Sequence, residues 1–158
     1  MGPMRRTAAV AAVSLVSLGL AVGACTKEDP RMPSTCIDTD AAGYERALAA
    51  APGAVRLPGG VKISTCAARV RTDAELQNLG AIVHGVAETL AERARERHDA
   101  GAATELGFLS AAVSTGAGQY RIGAELARRV ETTTASIAAD PALGAALRRG
   151  AAAGGARG

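Results

Sequence analysis

His84 and Glu88 are four residues apart, the spacing that sets an imidazole and a carboxylate on one helix face, where they could form half of a metal site. No second such pair is evident, and the chain has only two histidines, so a solvated helix face is the favoured reading. Ser110 stands in "FLSAAV" rather than in G-x-S-x-G, and neither histidine lies near a serine-nucleophile motif. Asp73 with Glu75, and Glu88 with Glu92, read as cap and helix-surface charges. A carboxylate-only hydrolase stays open, because pairing across a fold is invisible in a linear chain. The three cysteines, Cys25, Cys36 and Cys66, show neither C-x-x-C spacing nor neighbouring histidines, which argues against zinc. The expectation is a non-catalytic protein with no metal and no cofactor.

An odd cysteine count needs its own account, and the N-terminal segment supplies one. "MGPMRRTAAV" places Arg5 and Arg6, with no acidic residue, ahead of an apolar stretch from Ala8 to Val22. This is the layout of a secretory signal peptide, and about fifteen residues fall short of the roughly twenty that span a bilayer. The run ends in Val22, Gly23, Ala24 and Cys25. "VGAC" resembles the lipobox of bacterial lipoprotein precursors, and the resemblance covers residues 1–25. It implies cleavage just before Cys25, a diacylglyceryl group on its sulfur with acyl chains such as palmitate, and attachment to the extracytoplasmic face of the cell membrane. An ordinary signal peptide cut nearby is the alternative, since "AVGA" also meets a small-x-small rule. A twin-arginine reading is weak, because "RRTAAV" lacks a strong apolar pair after the arginines.

If Cys25 is acylated, Cys36 and Cys66 form an even pair in an oxidising compartment and read as one disulfide. Two reduced, buried thiols are the other possibility. Charge changes too. The full chain has 18 basic and 15 acidic residues; without Arg5 and Arg6 it is nearly neutral, and no nucleic-acid footprint remains. "ERARERHD", Glu92 to Asp99, alternates in sign as a solvated helix face does. With no Trp, one Phe and two Tyr, the chain also lacks the aromatic platforms that sugar binding usually needs.

The elements that must carry these residues read as a small, mainly α bundle of three or four helices, with a short N-terminal β-hairpin and one disulfide. Residues 1–24 are the signal peptide, 25–36 a polar flexible tether, 37–149 the helical domain and 150–158 a disordered tail. A short helix is expected over 38–51, stopped by Pro52 and Gly53. In "AVRLPGGVKISTC", Val55, Leu57, Val61 and Ile63 alternate with Arg56 and Lys62 around "PGG". Pro58 and Gly59 suit a type II turn, which predicts a hairpin ending at Cys66. A phosphate loop is disfavoured there, because no Gly-Lys-Ser/Thr follows.

Thr72 with Glu75 predicts a capping box for a helix running to about His98, its inner face formed by Leu76, Leu79, Val83, Val86 and Leu90. Further helices are expected over about 102–114, from 122 through Ile137, and from Asp140–Pro141 through Leu147. Gly80, Gly107, Ser110, Ser114, Gly118 and Gly123 recur inside them, and close helix approach would explain that usage. The functional expectation is a lipid-anchored extracytoplasmic protein that binds a protein partner or a small apolar ligand at the cell envelope. The alternative is an envelope hydrolase or metal-dependent enzyme using Glu and His residues gathered by the fold.

Overall fold

The structure, a computed structural model, describes residues 31–118 and 122–158. The signal-peptide reading, Cys25 and half of the tether, 25–30, lie outside the described residues. Those described form α1 (Thr35–Asp38), α2 (Ala41–Leu48), α3 (Ile63–Ala68), α4 (Asp73–Arg97), α5 (Ala100–Ala117), α6 (Gly123–Ala138) and α7 (Pro141–Arg157). Seven helices therefore replace the expected three or four, and no strand occurs among the described residues.

Helix starts follow their caps. At α4, the Thr72 hydroxyl accepts from the Glu75 amide at 3.2 Å, and the Glu75 carboxylate accepts from the Thr72 amide at 3.0 Å. This closes the capping box expected from Thr72 and Glu75. Asp40, Asp99 and Asp140 cap α2, α5 and α7 by accepting first-turn amides, each offsetting an orphan donor. Between α4 and α5 the corner is a single residue, His98, at φ 50. That left-handed conformation ends one helix just before Asp99 starts the next.

The predicted hairpin is not present. Its turn forms as expected: the Gly60 amide donates to the Leu57 carbonyl at 3.0 Å, with Gly59 at φ 74. The return strand does not, because from Ile63 onward the chain is helical. Val55, Leu57 and Ile63 are buried against the helices. Their alternation with Arg56 and Lys62 thus records an extended segment laid on a helical core, not a cross-strand ladder.

Helix α5 is the centre of the molecule. It packs on α2, α3, α4, α6 and α7, and ten of its residues are buried, from Ala102 to Ala117. An apolar helix with no polar face belongs inside a domain. Helices α4 to α7 run alternately up and down around it, so α5 and α7 are parallel. Where they touch, the contact is backbone against backbone: a Cβ on Gly107 would strike the Leu147 carbonyl, one on Gly150 the Thr104 carbonyl, and one on Gly154 the Phe108 carbonyl.

The expected disordered tail is also corrected by this contact. Residues 150–157 continue α7, with Gly150, Ala153 and Gly154 buried. Glycine-rich sequence is a poor helix former alone, but here the missing side chains admit α5, and the tertiary contact holds the helix. The far end of the supposed tether is likewise folded. Met32 packs against the core, and Cys36 in α1 is fully buried. The buried apolar core thus runs from Cys36 to Ala153.

Of the glycines expected at close contacts, Gly107 and Gly123 are such positions, whereas Gly80 meets its nearest side-chain atom, Leu126 Cδ1, only at 3.9 Å. Gly118 serves a different purpose, ending α5 at φ 63.

Candidate functional site

Cys36 and Cys66, 30 positions apart in sequence, are joined by a disulfide, with Cα atoms 5.6 Å apart. The bridge ties α1, the first folded element after the tether, to α3. Tyr44 on α2 completes the junction: its buried hydroxyl donates to the Cys36 carbonyl at 2.8 Å. Burial pushes this phenol well above its ordinary pKa, so it acts as a neutral donor. Sequence reasoning passed over Tyr44. Its signal was there, since Asp40 caps α2 and places Tyr44 one turn in, on the face that meets Cys36.

His84 and Glu88 do share one face of α4, with Nε2 and Oε1 3.3 Å apart. Their side chains are 42 % and 63 % exposed: Glu88 stands in solvent, whereas His84 is half-buried, with its Nδ1 buried and without a hydrogen-bond partner. A shallow polar groove between α4 and α6 is lined by Glu88, Thr89, Glu92 and Arg95 opposite Thr132, Thr133 and Ser136. His84 is outside it. Arg95 spans the groove to the Ser136 hydroxyl at 3.1 Å, and the threonine hydroxyls donate to carbonyls of their own helix. Among the described residues no group of three His, Cys, Asp or Glu side chains could hold a metal ion. No helix among them is long and apolar enough to cross a membrane.

"ERARERHD" is only partly the solvated face expected. Arg93 is about two-thirds buried and meets Asp99 at 3.1 Å and Glu105 at 3.7 Å. The tight corner at His98 brings Asp99 back over α4, a contact that sign alternation along one helix could not reveal. Glu105 is only 13 % exposed. Burial raises its carboxyl above the usual 4.5, the Arg93 charge opposes that shift, and Asp99 and Glu45 reinforce it. Asp99 is held below its usual value chiefly by the Ala102 amide, with Arg93 contributing.

The two acids therefore act in opposite senses on stability. Folded Glu105 binds its proton more tightly than the unfolded chain does, so stability falls as pH rises from 4.5 through its raised pKa. Asp99 contributes stability above its unfolded value, and that contribution is lost as pH falls through its lowered one. Glu105→Gln should thus remove part of the decline above pH 4.5 and leave the acid limb in place. Urea midpoints measured between about pH 2 and 8 check this; an unchanged slope above pH 4.5 would place the decline elsewhere.

No family model, curated protein or solved structure matches this chain.

Proposed function

We propose that the chain is a lipid-anchored protein of the extracytoplasmic membrane face, whose disulfide-closed helical domain has a non-catalytic role in binding a protein partner. The carrying observation is the disposition of three sulfurs. Cys36 and Cys66 are paired with each other, which leaves Cys25 of "VGAC" as the odd cysteine, in the position a lipobox requires. A disulfide also fits an oxidising compartment. One acyl chain binds a membrane only marginally, whereas the two of a diacylglyceryl group attach durably.

Between a protein partner and a small apolar ligand, the surface favours the former. Two grooves are lined largely by charged and hydroxyl side chains, a more apolar hollow at Ala124 and Ala127 is rimmed by Ser114, Arg128 and Glu131, and the large apolar side chains pack into one core. The His84–Glu88 pair, which belongs to no group of three metal-ligating side chains among the described residues, gives no comparable support to the hydrolase or metalloenzyme alternative.

Anchoring is tested on membrane-extracted protein. Intact mass should correspond to loss of residues 1–24 plus a diacylglyceryl group, and Cys25→Ser should move the protein out of the membrane fraction. Equal fractionation of wild type and Cys25→Ser would refute the anchor. Partner binding is tested by crosslinking the anchored protein in intact cells. A single envelope protein captured by wild type and lost on substitution of groove residues would support it; no specific crosslink would count against it.

A further inference from the structure

The disulfide makes one end of the molecule the end nearest the tether, and that end is basic. From Arg46 to Thr72 the chain holds five cations, Arg46, Arg56, Lys62, Arg69 and Arg71, and no acidic residue. The fold gathers three cations of this end around the termini of α3 and α7. Arg56 Nη1 donates to the Arg157 carbonyl at 3.0 Å and to its neighbouring Val55 carbonyl, so its charge is held by carbonyls rather than by a carboxylate. Ser64, in the first turn of α3, donates to the Gly158 carbonyl, which brings Lys62 to the same corner. Arg56, Lys62 and Arg157 are all exposed.

The acids nearby are Asp38 and Asp40, which share a groove with Arg46 and Arg56, and Asp73 and Glu75 in the first turn of α4, the latter bound to the Arg71 amide. Asp38 and Asp40 thus stand beside Arg56 at one edge of the basic corner. Ile37, the one large apolar side chain exposed among the described residues, at 37 %, directly follows the bridged Cys36.

Resting on the lipid-anchor reading, we propose that this corner docks on the anionic phospholipid headgroups of the anchoring membrane. Arg31 is six positions after Cys25, at most about 20 Å of fully extended chain, so an anchored domain keeps its α1–α3 end close to the bilayer. A tether this short lets exposed cations come within a Debye length of the surface, about 8 Å at physiological ionic strength, where its potential acts on them. Arg56, Lys62 and Arg157 would meet phosphate groups, and Ile37 would rest at the interface.

The test separates docking from anchoring by omitting the acyl group. A chain of residues 26–158 keeps the whole core from Cys36 to Ala153, and circular dichroism verifies its helix. It should co-sediment with vesicles of phosphatidylglycerol and phosphatidylcholine at low salt, and not with phosphatidylcholine alone. Adding salt to the wild-type domain should release it. Reversing Arg56, Lys62 and Arg157 together to Glu should weaken partition about a hundredfold, at about fivefold or more per cation. Lys62→Glu alone, at the α3 N-cap where the side chain makes no capping hydrogen bond, should weaken it about fivefold. Arg97→Glu, at the opposite end of α4, should leave it unchanged. Equal retention on both vesicle types, or retention insensitive to salt, overturns the docking surface. Either result leaves the mass and fractionation test of Cys25 untouched.

Discussion

Replacing Gly154 with alanine should lower the melting temperature by about 10 °C, while Gly155→Ala, one residue further along the same helix, should raise it slightly. Alanine is the better helix former by about 1 kcal/mol, so propensity alone predicts stabilisation at both positions. The surroundings decide the sign. A Cβ on Gly155 would meet nothing closer than Thr115 Oγ1, at 4.0 Å, and the propensity gain stands. A Cβ on Gly154 would fall on the carbonyl, carbonyl carbon and Cα of Phe108. Backbone of the central helix cannot step aside alone, so α5 and α7 must part along the contact they share through Gly107 and Gly150. Overpacking of this kind costs typically 1–3 kcal/mol and occasionally more, and the rigidity of the opposing atoms places Gly154 at the upper end. Thermal melts of the two single variants give the comparison directly. Equal shifts would mean that the helices are not in backbone contact at Phe108.

Reduction of the Cys36–Cys66 bridge should cost about 3 to 4 kcal/mol, through the freedom restored to an unfolded loop of roughly thirty residues. For a domain of this size that is a fall of about 10 to 15 °C in melting temperature. The loss should exceed the chain-entropy value in one respect. The bridge fixes α1 against α3, and Cys36 supplies the carbonyl that satisfies buried Tyr44. If α1 frays when the bridge opens, that hydroxyl loses its partner in a buried setting, at a further cost of about 1–3 kcal/mol. Tyr44→Phe separates the two contributions. Made in the oxidised protein it should destabilise modestly, and made in a Cys36→Ala, Cys66→Ala background it should matter less. Additive effects would show that α1 stays in place without the bridge.

Several elements were legible before any tertiary information. The α4 start at Thr72 with Glu75, the α7 start at Asp140 with Pro141, and the end of α4 near His98 depend on local caps, which act within four residues. The pairing of Cys36 with Cys66 followed from counting sulfurs. The hairpin failed for a physical reason: alternation over Val55, Leu57, Val61 and Ile63 states which side chains are buried, not what they are buried against. A strand needs a neighbour's carbonyls and amides, whereas here the segment lies on helices. The candidate site was legible to the same degree. His84 and Glu88 are adjacent as their spacing required, but spacing along one helix says nothing of a third ligand from another.

What the sequence by itself determined is local or arithmetic: the helical class, the capped helix starts, the turn at Pro58 and Gly59, and the single bridge. Each depends on neighbours in the chain or on a count. Only the tertiary structure decided that 150–157 is helix, that Arg93 joins Asp99 and Glu105, and that Arg56, Lys62 and Arg157 share one corner. Those outcomes depend on which surfaces meet. A glycine, above all, carries no sign of its own: Gly154 and Gly155 are identical in sequence terms, and only the backbone of Phe108 tells them apart.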